Sequence, residues 1–176
     1  MSLLKLNSIE IPLDSLIDFS QTYETIESST IHRMGAAGLG RKQTLWTGKV
    51  RTVISASGWN PAGLSGVDFN SAVEIHCVAP RSKLGGVANI NIGADSKRRS
   101  DGEYLPLAFG INGAGRTGTT VVVAANGDCS ITPVAGATVY QVVYYPILTA
   151  LFSSIPTESN DINSAQFSTE LIAEEV

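Results

Sequence analysis

Residues 119–125 (Thr-Thr-Val-Val-Val-Ala-Ala) run into Asn126-Gly127 and continue as Asp128-Cys129-Ser130-Ile131-Thr132. β-Branched residues fit a pleated surface, and Asn-Gly tolerates positive φ at both centres of a tight turn. The pattern therefore predicts a two-residue β-hairpin, and it commits the middle of the chain to antiparallel pairing. The same grammar recurs elsewhere. Across 44–56, Trp46, Gly48, Val50, Thr52, Ile54 and Ala56 alternate with Lys49, Arg51 and Val53, which places Trp46 with the core face. Val73, Ile75, Cys77 and Ala79 point one way, and Glu74 and His76 the other. Further strands are expected over 87–92, 104–111 and 138–148, with Asp101-Gly102 as a turn. Helix is expected at most as a short turn over 13–19.

Seven to nine short strands with turn signals every 10–14 residues predict an all-β fold. The expected architecture is an antiparallel β-sandwich or barrel-like domain with long loops and extended terminal arms. With 43% hydrophobic and 16% charged residues in 176, the chain has the balance of a folded protein. No apolar run approaches the roughly 20 residues of a membrane helix, and residues 1–30 do not read as a secretory leader. Residues 1–152 are expected as a single β domain. Within it, 28–41, with Gly35, Gly38 and Gly40 and no strand period, read as a long Gly-rich loop. Residues 153–163 read as a linker and 165–173 as a terminal strand, so that 153–176 forms an acidic C-terminal arm that closes its own sheet or completes a neighbour's edge.

Charge is segregated. Residues 1–32 carry a net −4, residues 33–116 a net +6, and residues 117–176 six acids and no base. Either folding neutralises these zones within one chain, or acidic ends reach the basic body of a neighbour. The second reading nominates Arg41, Lys42, Lys97, Arg98 and Arg99 as protein-contact residues, and the Gly-rich loop, which could order in a crevice between neighbours, adds Arg33. Nucleic acid is not the expected partner, because the basic residues are not interleaved with aromatics and the whole chain is acidic.

Motifs of chemistry are incomplete. Gly113-Ala-Gly115-Arg-Thr-Gly118 fits G-x-G-x-x-G on paper, but a strand follows it where a dinucleotide site needs a helix N-terminus. Thr119 stands where a phosphate-binding loop needs Lys, and Gly63-Leu-Ser65-Gly66 falls one residue short of a nucleophile elbow. Cys77, Cys129, His32 and His76 are too scattered for a zinc site, and the cysteines read as reduced structural thiols. No catalytic, cofactor or metal residues are nominated.

Trp59, in the turn Ser57-Gly58-Trp59-Asn60-Pro61, is costly to expose. It either plugs one end of the core, contacts a protein, or stacks on a sugar ring.

Three strings carry a resemblance: residues 42–49 (Lys-Gln-Thr-Leu-Trp-Thr-Gly-Lys), residues 57–66 from Ser57-Gly58-Trp59-Asn60-Pro61 to Gly66, and Ala79-Pro80-Arg81. They are similar to small virion proteins of tailed bacteriophages with long flexible tails, in the minor tail or tail-tip set. Tyr144-Tyr145-Pro146 and the terminal Ala173-Glu174-Glu175-Val176 resemble that group too. The resemblance implies a non-enzymatic all-β subunit of a ring or cap at the tail, made in the host cytoplasm. Its expected partners are copies of itself and other virion tail proteins, with no cofactor and no membrane insertion. Host-surface contact, a receptor- or carbohydrate-binding role and a capsid decoration role stay open.

Overall fold

The computed structural model describes residues 4–34, 39–87, 89–113, 115–161 and 166–176. The chain is all-β with antiparallel sheets, as expected. The strands in chain order are β1 (Lys5–Leu6), β2 (Ile9–Glu10), β3 (Asp18–Met34), β4 (Leu39–Gly58), β5 (Val73–His76), β6 (Arg81–Gly85) and β7 (Leu107–Asn112). They continue as β8 (Gly115–Thr119), β9 (Val121–Val123), β10 (Cys129–Ile131), β11 (Val139–Tyr144), β12 (Ile147–Phe152), β13 (Thr157–Asp161) and β14 (Gln166–Glu175). Among the described residues no helix is long and apolar enough to cross a membrane.

Two compact units replace the expected single domain with an arm. One is Met1–Leu13 with Glu74–Leu148, and the other is Asp14–Val73 with Thr149–Val176. In the first, β6-β11-β7-β8 make an antiparallel sheet, and β9-β10 make a hairpin. Ala108, Tyr140, Val142 and Tyr144 of the sheet meet Cys129 and Ile131 of the hairpin, with Ile90 and Ile92, in one buried cluster. Alternation explains this: every second residue of β11 is buried. The described residues of 87–92 supply Ile90 and Ile92 and among them pair only through an isolated bridge, Asn91 with Asp128, so they form a packed connection where a strand was expected.

The hairpin at Asn126-Gly127 is real, but its turn differs from the expected one. Gly127 has φ 94°, whereas Asn126 is not among the residues of positive φ. The Gly127 N–H donates to the Ala124 carbonyl, and the Ala124 N–H donates to the Asp128 carbonyl. That is a three-residue loop ending in a left-handed glycine. The reason lies outside the hairpin: a Cβ at Gly127 would sit 2.3 Å from the Gly93 carbonyl oxygen. The Gly127 carbonyl also accepts the Ile92 N–H at 3.0 Å. Hydrogen bonds from Asn91 and Asn126 lock Asp128 beside the turn and hold its carboxyl below the usual range. Gly127→Ala meets both the positive φ and the backbone contact, and should destabilise by about 2–3 kcal/mol in a urea titration.

The second unit is a sheet in which β14 lies between β4 and the pair β12 and β13, with β3 on the far side of β4. Val50, Thr52, Ile54 and Ala56 of β4 are buried, as the alternation required, and face inward with Leu171 and Ala173 of β14. Trp46 is the exception: it is 39% exposed, with the Lys49 ammonium 5.5 Å from its ring centroid.

Two expectations are corrected here. The segment read as a loop, 28–41, is paired strand where it is described, from Ser28↔Trp46 to Met34↔Leu39, and 35–38 lies outside the described residues. Its described side chains from Ser29 to His32 are all exposed, so no apolar period could mark it as strand. The linker expected over 153–163 holds β13, and the terminal strand takes the first of its two expected roles, closing its own sheet: Phe167–Glu174 pairs with Gly58–Arg51 of the same chain in eight register positions.

Candidate interaction surface

β3 and β4 hold a continuous antiparallel register from Asp18↔Ser57 to Met34↔Leu39, broken by irregularities between Ile26 and Ser29. β14 accompanies β4 only from Gly58 to Arg51. Beyond Arg51 the pair runs on as a two-stranded ribbon, and ten residues of β3 carry it roughly 33 Å further. The described side chains from Ser29 to His32 and from Lys42 to Gly48 are exposed. They include Ile31 at 67% and Leu45 at 75%. A lone two-stranded ribbon is marginal in water, and apolar side chains held out on one mark a contact surface. The ribbon is anchored at its base. The Arg51 guanidinium donates to Glu174 at 2.9 and 2.7 Å and to Glu24 at 3.2 Å, which ties β3, β4 and β14 together. Nearer the tip Lys42 pairs with Glu27, and that ammonium holds the Glu27 carboxyl below its usual range.

At the base, the outward face of β3-β4-β14-β13 is a grid of small polar residues. The register sets Asp18, Ser57, Ser168 and Ser159 in one row across the sheet, and Ser20, Ser55, Glu170 and Thr157 in the next. The Ser159 and Ser168 hydroxyls are 2.6 Å apart, and Gln166 donates to the Ser57 hydroxyl at 3.4 Å. Because these side chains are short, the face is hollow: a groove of about 500 Å³ lies over them, with Ile172 also in its lining. Serine is a poor strand former, so its repetition on four paired strands leaves room that larger residues would fill. Nothing in the linear sequence links Asp18, Ser55 and Glu170; only pairing register does.

The nominated contact residues divide. Arg33, Arg41 and Lys42 lie together on the distal ribbon, where Arg33 pairs with Gly40, His32 with Arg41, and Ile31 with Lys42. Trp59 follows the end of β4 and is 71% exposed, so it plugs no core; its N–H donates to the Asp14 carbonyl at 2.7 Å. Lys97 is exposed in a short 3-10 turn, Asp95–Lys97. Arg98 and Arg99 are corrected, since both are buried. Arg98 pairs with Asp95 and donates to the Gly93 carbonyl at 2.6 Å and the Ala124 carbonyl at 3.2 Å. Arg99 grips Asp101 and the backbone carbonyls of His76 and Cys77. Their turn-rich surroundings gave an exposed reading, but open carbonyls and nearby acids drew both guanidiniums inside.

Comparison with family models, with curated proteins and with solved structures yields no match.

Proposed function

We propose that this chain is a non-enzymatic structural subunit of a bacteriophage virion, a tail-tip, baseplate or minor tail protein that assembles into a ring or cap through protein–protein contacts. The observation that carries the assembly reading is the two-stranded ribbon with Ile31, Leu45 and Trp46 held out of any core. Burying such side chains at an interface returns roughly 25 cal/mol per Å² of apolar surface. The phage attribution rests on the motif strings around Lys42–Lys49, Trp59 and Ala79-Pro80-Arg81. The test is light scattering on purified protein over a concentration series, with electron microscopy of the largest species. Closed oligomers of defined copy number are expected, and they should disappear when residues 28–48 are replaced by a short turn. A chain that stays monomeric up to about 100 μM, far above ordinary interface affinities, would reject the assembly reading. Virions labelled on this protein should carry the label on the tail, and label spread over the capsid would make it a decoration protein.

A second reading, a receptor- or carbohydrate-binding module, draws on Trp59, whose ring is open to solvent. A glycan array in which the parent binds and Trp59→Ala does not would support it.

A further inference from the structure

We infer that Asn112 is a site of spontaneous deamidation, and that the fold protects Asn126, the other asparagine followed by glycine. Asn-Gly occurs twice in the chain, at Asn112-Gly113 and Asn126-Gly127. The reaction needs no enzyme and no oxidant. The backbone nitrogen after the asparagine attacks the side-chain Cγ and gives up its proton, the carboxamide nitrogen leaves as ammonia, and a five-membered succinimide closes. Water then opens that ring at either carbonyl and leaves an aspartyl or an isoaspartyl residue. Glycine favours the attack because no Cβ hinders the approach and its backbone turns freely. The two sites are alike in sequence, and the fold separates them.

At Asn126 every group that has to move is held. The attacking group, the Gly127 N–H, donates to the Ala124 carbonyl at 2.8 Å. The Asn126 carbonyl, at the other side of the same peptide unit, accepts from the Asn91 carboxamide at 3.1 Å. The Asn126 carboxamide donates to the Asp128 carboxylate at 2.7 Å and accepts the Asp128 N–H at 3.2 Å. Gly127 is also wedged against the Gly93 backbone. Ring closure needs rotation of both the side chain and this peptide unit, so it waits for a local opening that breaks these bonds.

Asn112 is the last residue of β7 and pairs with Gly115 across the β7–β8 turn. Asn112 and Gly113 are both exposed. A Cβ placed on Gly113 would meet nothing within 4 Å, the opposite of Gly127. Among the described residues no hydrogen bond holds the Asn112 carboxamide. Nucleophile and target are therefore free to meet. The product carries one more negative charge at the tip of the hairpin. Its isoaspartyl form lengthens the main chain by one carbon and disturbs the pairing of residue 112 with Gly115.

The experiment warms the full chain at mildly alkaline pH, where the attacking nitrogen loses its proton more readily, and follows both sites over time by peptide mass spectrometry. In the folded protein, conversion at residue 112 should run at least about tenfold ahead of conversion at residue 126, since breaking even two ordinary hydrogen bonds costs that factor. In urea, where neither turn exists, the two rates should converge. Isoelectric focusing of the same samples should show an acidic band that grows in the parent and is absent from Asn112→Gln, because glutamine closes the corresponding ring far more slowly. Equal rates at the two sites in the folded protein would overturn the inference. So would an Asn112 that survives in the folded chain and converts only in urea, or an acidic band that grows in Asn112→Gln as fast as in the parent.

Discussion

Arg99→Ala should lower the unfolding free energy by about 3–5 kcal/mol, the largest effect expected of any single substitution in the first unit. The Arg99 side chain is 0% exposed. Its Nε and one terminal nitrogen hold the two oxygens of Asp101 at 2.9 and 2.7 Å, in the two-pronged geometry that suits a carboxylate. The other terminal nitrogen donates to the Cys77 carbonyl at 3.2 Å and the His76 carbonyl at 3.4 Å. The guanidinium also lies 3.6 Å from the centre of the Tyr104 ring, which in turn packs edge-on against Tyr145. One group thus joins the end of β5, the Asp101 turn, and the β11–β12 connection. Truncation removes the Arg99 donors from the Cys77 and His76 carbonyls and leaves a void under Tyr104. Arg99→Lys keeps the charge but not the fork or the stacking, so it should recover less than half of the loss. Asp101→Asn should cost less than Arg99→Ala, because Asp101 is 40% exposed and water takes over. Urea titrations of the three variants check the order, and an Arg99→Ala protein as stable as its parent would refute this role for the guanidinium.

What could be read from the sequence was whatever had a buried face. Alternation in 44–56 and 72–79 located the inward residues Val50, Thr52, Ile54, Val73, Ile75 and Cys77 without a structure, because a half-buried strand has to alternate. Asn126-Gly127 located a hairpin for an equally local reason. The turn type was not legible, since Gly93 approaches from 34 residues away and a neighbour so distant leaves no local trace. Gly58 is similar. Its place at a strand end looks like ordinary punctuation, yet a Cβ there would lie 2.0 Å from the Asp14 carbonyl oxygen.

The interaction surface was legible only at its tip. Arg33, Arg41 and Lys42 stood out as charges in a Gly-rich stretch, and they are neighbours on the ribbon. That the stretch is strand was hidden, because its described side chains from Ser29 to His32 are all exposed and give no hydrophobic period. The groove was hidden for a different reason. Asp18, Ser55, Glu170 and Ser159 belong to four strands, and their adjacency depends on several registers at once, each of which flips every side chain if it slips by one residue. Arg98 and Arg99 misled in the opposite direction. A pair of adjacent arginines near a turn reads as solvent-exposed, and nothing in the chain's linear order shows that backbone carbonyls converge on them.

Ending the chain after Pro156 should abolish the fold of the second unit, and that outcome separates a sheet strand from an arm. The deletion removes β13 and β14. β4 then loses its partner along Arg51–Gly58, and β12 loses the pairing of Ala150, Leu151 and Phe152. Leu171 and Ala173, 2% and 1% exposed, leave the interior, and Val50, Ile54 and Ala56 of β4 lose cover. The Arg51 guanidinium loses Glu174, the carboxylate that raises its already high pKa, and keeps only Glu24 on the neighbouring strand. What remains is the β3-β4 pair with no third strand, which is too little to be stable by itself. The shortened chain should be recovered mostly as aggregate, because the exposed β4 edge is a template for pairing. In any soluble fraction, amides of residues 50–58 should exchange as fast as in an unfolded chain. Leu171→Ala probes the same packing gently and should cost about 2–5 kcal/mol. A terminal arm lying on a neighbour would behave otherwise: its removal would leave a soluble, folded monomer with protected amides in 50–58, and Leu171→Ala would change oligomer size while leaving monomer stability intact.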